Sequence, residues 1–378
     1  MTFAISKISQ NGSGLDVEWN DGEKSNFNFM WLRDNCPTAR DKDSRHRMFN
    51  LLEVSTNISP KQFKINGKGK LEIEWNEGNH TSYYDQKWLR KNCYTINNKK
   101  KYISPYSLWD SSLNSKLSTI QIEHDEIMDS EKGLVKWLEL LHYNGIAIVK
   151  NAPIEKKSAF PILNKIGSIR ETFFKTPFEV INIPKPNNSA YTAHALRNHM
   201  DLPWFETPPG YQFLHCLINE AEGGFSSAVD GFFVADFLKK NEPEIFEILI
   251  NTPAKFKDND YTQKSIRIFH SPLITLNKDK DYNDIRFSIA TMAPMDCHPE
   301  NMGDFYSAYR KFAQLLHDDK FLVKFRLNSG DIFSFNNRRI LHGRTEFNPN
   351  SGNRHLQGYY FDRDDILGKI NYLKKVKF

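Results

Sequence analysis

Residues 198–217 read Asn-His-Met-Asp-Leu-Pro-Trp-Phe-Glu-Thr-Pro-Pro-Gly-Tyr-Gln-Phe-Leu-His-Cys-Leu, which predicts a polar loop followed by an apolar strand. The loop carries His199 and Asp201, an imidazole and a carboxylate one residue apart. With a second imidazole from distant sequence, this pair can bind one face of an octahedral iron(II) and leave the other face open. The His-x-Asp pattern alone is common by chance, so the prediction depends on the residues that surround it.

A second stretch supplies the missing imidazole and a guanidinium. His342 lies in Ser-Phe-Asn-Asn-Arg-Arg-Ile-Leu-His-Gly-Arg, residues 334–344, after a Gly-Asp turn that leads into a strand. Arg354 follows shortly afterwards. The fork of a guanidinium forms two parallel charge-assisted hydrogen bonds to a carboxylate. We therefore expect a metal site at His199, Asp201 and His342, with Arg354 suited to an anionic ligand.

The pattern around these residues favours a mainly β fold with helices. Short apolar strands are bounded by Pro and Gly, and two helices, near residues 242–250 and 302–317, interrupt them. The predicted strands are residues 211–218, 266–269, 285–290, 331–335 and 356–361. This spacing predicts a double-stranded β-helix, or jelly roll, and not a parallel α/β sheet. The sequence has no GxGxxG or Walker motif, which argues against a nucleotide-binding core.

The first hundred residues contain an internal repeat. Trp-Asn-Asp-Gly at 19–22 recurs as Trp-Asn-Glu-Gly at 75–78, and Trp-Leu-Arg-Asp-Asn-Cys at 31–36 recurs as Trp-Leu-Arg-Lys-Asn-Cys at 88–93. In both copies an alternating strand precedes the turn, which is typical of a β-hairpin. We predict a small β-rich domain over residues 1–100, a linker over 101–118 and the jelly-roll domain over 119–378.

Composition sets the general class. The chain has 378 residues, a formal charge of +5, 39% hydrophobic residues and four separated cysteines. No apolar run approaches the roughly 20 residues that span a membrane, and the N-terminus lacks a secretory pattern. Lys and Arg are interspersed with acids, so nothing favours nucleic-acid binding. We expect a cytoplasmic protein with reduced thiols and with neither nucleic acid nor a membrane as a partner.

The chain resembles the γ-butyrobetaine hydroxylase family of taurine-dioxygenase-like iron(II)/2-oxoglutarate-dependent oxygenases along nearly its whole length. In addition to the metal and arginine positions, the matching stretches are residues 31–36, 208–216, 223–232, 341–344 and 354–360. The resemblance implies iron(II) bound by His199, Asp201 and His342, with 2-oxoglutarate and dioxygen as co-substrates. It also implies that Arg354 holds the distal carboxylate of 2-oxoglutarate and that Ser226 bonds its carboxylate region, although Ser227 could serve instead.

Members of this family bind a trimethylammonium group in an aromatic cage, because ring faces attract a cation that has no hydrogen to donate. The resemblance places the cage at Phe174, Phe178, Tyr191 and Tyr360, with Trp204 as a further wall. Phe174 and Phe178 replace a Tyr and a Trp that are usual in the family, and Phe is a weaker partner for a cation. Their spacing of four residues fits a place in the core equally well.

The acid end of the substrate is less defined by the resemblance. Asn188 matches a family asparagine near the acid group, whereas Ile289 stands in place of a second one. Arg286 and Arg197 are basic residues without family equivalents, and Arg286 is the one we assign to substrate binding. Such a change would suit a phosphonate as well as a carboxylate.

The N-terminal domain departs from the family's zinc cluster. Many relatives bind zinc through CxCxxC and a later His, but this chain has Cys36, Thr38 and Asp41 at those positions, with His80 downstream. A structural zinc normally takes four N or S ligands. We therefore predict no zinc. The resemblance also implies a homodimer.

These observations predict an enzyme that hydroxylates an unactivated C–H bond of a small trimethylammonium acid of the γ-butyrobetaine type. The reaction would be coupled to oxidative decarboxylation of 2-oxoglutarate to succinate and CO2. Hydroxylation of trimethyllysine or of a trimethylaminoalkyl phosphonate is the alternative within this class. A jelly-roll protein that binds betaines without turning them over is the non-enzymatic alternative.

Overall fold

The computed structural model describes residues 3–97, 106–181, 192–261 and 263–374. Within it, the chain divides into two compact units, Met1–Ile103 and Ser104–Phe378. No helix of the described residues is long and apolar enough to cross a lipid bilayer.

The first unit consists of two successive β-meanders, each followed by a short helix. Its strands are β1 (Ile5–Asn11), β2 (Gly14–Trp19), β3 (Lys24–Asn28), β4 (Pro60–Ile65), β5 (Leu71–Trp75) and β6 (Thr81–Tyr84). Its helices are α1 (Phe29–Asp34), α2 (Gln86–Lys91) and α3 (Tyr94–Asn97). The strands form two antiparallel sheets, in the orders β1-β2-β3 and β4-β5-β6. The two sheets correspond to the two copies of the sequence repeat.

Both copies contribute to one hydrophobic core in the first unit. Trp19 and Trp75, at equivalent positions of the repeat, are almost fully buried. The Trp19 indole donates to Ser25 Oγ at 2.7 Å, and the Trp75 indole donates to Ser82 Oγ at 2.8 Å. A buried indole N–H needs such an acceptor, so the repeat preserves a polar pair together with its apolar strand. The predicted alternating strands are confirmed at β2 and β5.

The second unit contains the remaining strands and helices. The strands are β7 (Gln121–Glu123), β8 (Ile146–Lys150), β9 (Phe178–Ile181), β10 (Leu196–His199), β11 (Tyr211–Asn219), β12 (Ser226–Asp230), β13 (Pro253–Asp260), β14 (Ser265–Pro272), β15 (Ile274–Leu276), β16 (Tyr282–Ile285), β17 (Leu322–Phe325), β18 (Ile332–Asn336), β19 (Ile340–Arg344) and β20 (Arg354–Phe361). The helices are α4 (His124–Asp129), α5 (Glu131–Glu139), α6 (Phe160–Leu163), α7 (Gly231–Asn241), α8 (Pro243–Asn251), α9 (Met302–Leu315) and α10 (Arg363–Leu373).

Two sheets form the jelly roll that the strand pattern predicted. The larger has the order β7-β8-β18-β11-β20-β9, and the smaller has the order β10-β19-β12-β17. A hydrophobic cluster joins them, with Phe333 and Phe335 from the larger sheet and Ala228, Val323 and Ile340 from the smaller one. Inward-facing apolar residues of both sheets thus make one core, as in other double-sheet folds.

Helices cover the other face of the larger sheet. Trp137 and Leu138 of α5 pack in a cluster with Phe213 of β11 and Tyr359 of β20. Ser130 caps the N-terminus of α5, and Gly145 ends the following turn with φ 75°. The left-handed conformation at this position favours glycine. The apolar helical stripe and the glycine stop predicted from the sequence are confirmed.

The structure differs from the expected pattern at two places in this unit. Residues 231–241 form α7, which was not predicted from the sequence because its first five residues are all apolar or Gly and show no helical pattern. Asp230 caps this helix, since its side chain accepts from Phe232 N–H. The predicted strand at 285–290 ends at Ile285, the last residue of β16. Beyond it, Arg286 N–H donates to Leu273 O and Phe287 O accepts from Met200 N–H, so this backbone bonds to the loop after β10.

The segment predicted as a linker also differs. Residues 98–105 lie outside the described residues, but 106–118 pack on the second unit. Trp109 is buried, its indole donates to Asn144 O at 2.8 Å, and its backbone N–H donates to Asp230 Oδ2. The polar composition of this stretch predicted a solvated linker, but burial of Trp109 holds it on the second unit.

Candidate active site

Strand pairing brings the two predicted histidine ligands together. In the smaller sheet His199, the last residue of β10, lies directly opposite His342 of β19, and His342 lies opposite Ala228 of β12. Directly opposed residues of an antiparallel pair project to the same face. The two imidazole rings are 4.5 Å apart between centroids. Two residues 143 positions apart in sequence numbering therefore form one side of a site.

Asp201 completes the cluster from the loop after β10. Its Oδ1 lies 3.2 Å from His199 Nε2 and 3.7 Å from His342 Nε2. Ligand atoms of the three side chains all lie within 4.8 Å of one another, and the described residues contain no second cluster of this kind. Two imidazole nitrogens and one carboxylate oxygen on one side of a centre are the donor set of non-haem iron(II) sites. The residues present therefore fit the expected metal.

The protonation of the cluster suits a cation. Burial, reinforced by the neighbouring His199, lowers the pKa of His342 to about 3, so its ring is neutral. Burial acts to raise the pKa of Asp201, but the hydrogen bond from His199, the charge of that ring and the hydrogen bond from Tyr360 hold this pKa well below its usual range. The same contact raises the pKa of His199 despite the opposing effect of burial. Because metal ligands must be deprotonated, a divalent ion would displace the proton that His199 and Asp201 share.

Asn337 holds the backbone of Asp201, a role that the sequence did not reveal. Its Oδ1 accepts from Asp201 N–H at 2.9 Å, and its Nδ2 donates to Asp201 O at 3.0 Å and to Pro209 O at 3.1 Å. Asn337 is fully buried. Leu202, the next residue after Asp201, has φ 57°, an unusual conformation for a bulky residue. The only sequence signal was a polar Asn between β18 and β19.

A cavity of about 360 Å³ opens beside the cluster. Its lining includes His199 and Asp201, four aromatic residues, and one basic residue, Arg197. The aromatic residues are Phe174, Phe178, Trp204 and Tyr360. The structure thus brings together four of the positions expected to contact substrate. Of the other three, Asn188 and Tyr191 lie outside the described residues, and Arg286 is described but does not line the cavity.

Phe178 and Tyr360 form a stacked wall of this cavity. Their ring centroids are 4.9 Å apart with an interplanar angle of 25°, and Phe174 lies 6.1 Å from Phe178. The Phe178 ring lies across the backbone of Gly358, the residue opposite it on β20. A Cβ at Gly358 would stand 1.9 Å from Phe178 Cζ. Glycine at 358 is therefore what allows the Phe178 ring to occupy this position.

Arg286 does not line the cavity, which corrects its assignment to substrate binding. Its guanidinium donates to the carbonyls of Pro203 at 2.5 Å, Phe205 at 2.6 Å and Glu206 at 3.2 Å. It also lies over the ring of Phe269. A guanidinium has five N–H donors in a fixed plane, so it can satisfy several carbonyls of one loop. Arg286 holds the loop that carries Trp204.

Arg354 is a half-buried cation whose buried Nε fits an anionic ligand. Burial lowers its pKa to about 10, and its buried Nε has no hydrogen-bond partner among the described residues. Gly224, with φ 65°, approaches closely enough that a Cβ there would lie 3.3 Å from that Nε. A buried guanidinium N–H without an acceptor costs free energy, and an anionic ligand would supply the acceptor. This arrangement fits the carboxylate of 2-oxoglutarate.

The two candidate serines point in opposite directions. Ser226 lies opposite Arg344 on β19, which places its side chain on the same sheet face as His342. The Ser227 hydroxyl donates to Asn198 Oδ1 at 2.8 Å on the other face. The geometry favours Ser226 over Ser227 for a contact on the metal side of the sheet.

The position of the family's zinc cluster holds a hydrogen-bonded group in this chain. Cys36 Sγ lies 3.0 Å from Thr38 Oγ1 and 3.3 Å from His80 Nε2. The Asp41 carboxylate accepts from Ser44 instead. Only one thiol and one imidazole meet here, too few for the four N or S ligands of a structural zinc site. The residues do not fit zinc, and its absence stays a prediction.

Comparison with known proteins covers both units. The profile described as taurine catabolism dioxygenase TauD, TfdA family, matches residues 110–360, and the profile described as γ-butyrobetaine hydroxylase-like, N-terminal, matches residues 6–90. γ-Butyrobetaine dioxygenase of Pseudomonas sp. (strain AK-1) is 34% identical, over 96% of this chain and 94% of that protein. The human γ-butyrobetaine dioxygenase is 30% identical, over 96% of this chain and 94% of the human protein.

A solved structure supports the fold. A putative α-ketoglutarate-dependent taurine dioxygenase from Burkholderia xenovorans superposes with a TM-score of 0.51 at 13% identity, over 64% of this chain and 89% of that one. The profile of a dioxygenase family covers the unit that holds the His-Asp-His cluster, which confirms the expected iron(II), 2-oxoglutarate and dioxygen. The chain belongs to the TauD/TfdA family of dioxygenases, with an N-terminal domain of the γ-butyrobetaine hydroxylase type.

Proposed function

We propose that this dioxygenase hydroxylates an unactivated C–H bond of a small trimethylammonium acid, with γ-butyrobetaine as the leading candidate, and converts 2-oxoglutarate to succinate and CO2. The observation that carries the proposal is an aromatic wall in the same cavity as the His-Asp-His cluster. Relatives named γ-butyrobetaine dioxygenase, at 34% and 30% identity over almost the full chain, support the same substrate class.

His199, Asp201 and His342 would hold the iron, and Arg354 would hold the distal carboxylate of 2-oxoglutarate with Ser226 beside it. Iron(II) with 2-oxoglutarate supplies the oxidising chemistry that converts a C–H bond into C–OH. Arg354 suits its role because a guanidinium binds a carboxylate through two parallel hydrogen bonds, and its own Nε has no partner in the described residues.

The aromatic wall would bind the trimethylammonium group. Phe178 and Tyr360 present stacked rings to the cavity, and Phe174 and Trp204 extend the wall. Ring faces attract a cation most strongly where water is excluded. A quaternary ammonium cannot donate a hydrogen bond, but ring faces attract it through its charge and contact its methyl groups. The wall therefore selects the cationic end and aims the chain of the substrate toward the metal cluster.

The acid end would meet the polar side of the cavity. Arg197 and Thr291 both line the cavity, and the Thr291 hydroxyl is buried without a partner among the described residues. Ile289, at the place of a family asparagine, offers no hydrogen bond. A guanidinium matches either a carboxylate or a phosphonate, so a trimethylaminoalkyl phosphonate is the second candidate substrate.

The test is turnover with a panel of quaternary amines under iron(II), 2-oxoglutarate and oxygen. We expect succinate to form in a one-to-one ratio with a hydroxylated product from γ-butyrobetaine, and mass spectrometry to find less product from the phosphonate analogue and from trimethyllysine. His342→Ala is the control and should abolish both succinate and product. If no quaternary amine gives product coupled to succinate, the substrate proposal is wrong. The betaine-binding alternative is not retained, since the chain belongs to a dioxygenase family.

The proposal includes a homodimer in the cytoplasm, with neither nucleic acid nor a membrane as a partner. The modest formal charge of +5 supports the last part, because nucleic-acid and membrane surfaces attract strongly basic proteins. Light scattering coupled to size exclusion should give twice the chain mass of 44.1 kDa. A mass equal to one chain would contradict the dimer.

A further inference from the structure

Tyr360 contacts the metal cluster as well as the cavity. Its hydroxyl donates to Asp201 Oδ2 at 2.7 Å. The other carboxylate oxygen, Oδ1, is the one that lies next to both imidazoles. The two oxygens of Asp201 are thus distinguished: Oδ1 faces the metal position and Oδ2 is bound to a phenol.

The ring of Tyr360 cannot easily move away from Asp201. It belongs to β20, where it lies opposite Gln212 of β11, and it is 3% exposed. Phe178 stacks on it with centroids 4.9 Å apart. Strand pairing on one side and the stacked ring on the other keep the hydroxyl at a defined distance from the carboxylate. A residue whose own position is set by packing is well suited to orient a metal ligand.

We propose that Tyr360 is a positioning residue that makes Asp201 a ligand through one oxygen only. An octahedral ion held by two imidazoles and one carboxylate oxygen would keep three positions for other ligands. A carboxylate that turned to bind through both oxygens would occupy one of those positions. The Tyr360 hydroxyl prevents this turn because it holds Oδ2 in a charge-assisted hydrogen bond.

The inference extends the proposed function, since the same ring forms part of the wall for the ammonium group. The two roles of Tyr360 separate chemically. The ring face contacts the cavity, whereas the hydroxyl contacts Asp201. Removing the hydroxyl alone should therefore weaken metal binding, whereas the weaker attraction of a Phe ring for a cation should lower the affinity for a quaternary amine only modestly.

The experiment compares Tyr360→Phe with Tyr359→Phe. Tyr359 is the adjacent residue on the opposite face of β20, and its buried hydroxyl donates to Gln357 Oε1 at 3.3 Å, away from the metal cluster. Both variants lose one buried hydroxyl. The metal-free proteins are titrated with Co(II), whose visible absorption changes intensity with coordination number, and the thermal midpoint of each metal-free protein is measured in parallel.

For Tyr360→Phe we expect a Co(II) affinity lower by about ten- to a hundredfold, which is the usual effect of losing a hydrogen bond to a metal ligand. We also expect an altered Co(II) spectrum and a modestly raised amine KM, because Phe is a weaker partner for a cation than Tyr. Tyr359→Phe should keep the parental affinity and spectrum. If Tyr360→Phe binds Co(II) with parental affinity and spectrum, or if Tyr359→Phe changes them equally, the positioning role is wrong.

The outcome is separable from the substrate proposal. Co(II) binding requires no organic substrate, so failure of every quaternary amine in the turnover panel would leave this result unaffected. If Tyr360→Phe loses the folded state, Tyr360→Leu provides the second variant. Its side chain has no donor for Asp201 Oδ2 and adds no bulk beside Phe178, so it should show the same loss of Co(II) affinity; parental affinity in Tyr360→Leu would contradict the inference.

Discussion

Replacing Asn337 with alanine should destabilise the catalytic unit and weaken its metal site together. The side chain makes three hydrogen bonds to backbone groups, one to Asp201 N–H, one to Asp201 O and one to Pro209 O. Asn337 is fully buried, so the variant leaves these groups without partners in a dry region. A net loss of about 1 kcal/mol for each hydrogen bond gives roughly 3 kcal/mol, and more where the freed group stays unsolvated.

A loss of about 3 kcal/mol corresponds to roughly a hundredfold shift of the folding equilibrium. With a urea dependence of about 3 kcal/mol per molar, the unfolding midpoint should fall by about 1 M. Unfolding is followed by circular dichroism on the metal-free protein. Exchange of the Asp201 amide, measured on the peptide that contains it, should accelerate because that N–H loses its acceptor.

Asn336→Ala is the matched control. Asn336 is also buried, and its Oδ1 accepts from Arg338 N–H at 3.0 Å. It should lose about 1 kcal/mol and keep the parental Co(II) affinity, whereas Asn337→Ala should lose at least tenfold in affinity. Equal urea midpoints and equal Co(II) affinities for the two variants would refute the role given to Asn337.

Three other substitutions test separate parts of the site. Arg354→Lys keeps the charge but loses the fork, so the KM for 2-oxoglutarate should rise by about tenfold or more while the amine KM stays near the parental value. Gly358→Ala puts a Cβ 1.9 Å from Phe178, so it should displace that ring and raise the amine KM by about tenfold. Gly368→Ala is the control, because the space around Gly368 is open, and it should leave the amine KM unchanged. Arg286→Met removes the donors to the Trp204 loop and should lower Tm by about 5–10 °C. If Arg286→Met raises the amine KM and leaves Tm unchanged, Arg286 binds substrate and does not hold the Trp204 loop.

The sequence predicted the parts of the site that depend on residue type. His199, Asp201 and His342 could be proposed because few combinations of side chains bind iron(II) with an open face, and the structure places them in one cluster. The strands β11, β18 and β20 could be predicted because apolar runs bounded by Pro and Gly are typical of strands. These are local signals, readable without knowledge of the partner strand.

The remaining features depend on contacts between distant residues. Arg286 was assigned to substrate because it is basic, but the direction of its side chain is set by the carbonyls of the Trp204 loop. The link from Tyr360 to Asp201 joins residues 159 positions apart, and that from Asn337 joins residues 136 positions apart. The Asn and Tyr residue types are common on surfaces and in cores alike, so neither position carried a local sign of these roles.

The hydrogen bonds from Asn337 to the Asp201 backbone also affect how metal binds to the protein. His199 and His342 lie on paired strands, and Asp201 is held at its backbone by Asn337 and at its carboxylate by Tyr360. The arrangement of the ligands therefore exists before the ion binds. Zinc fingers differ, because there the ion itself drives folding. Chelation should therefore leave this protein folded, and adding iron should restore its activity without a refolding step. Iron supply would then change the activity of protein molecules that are already folded.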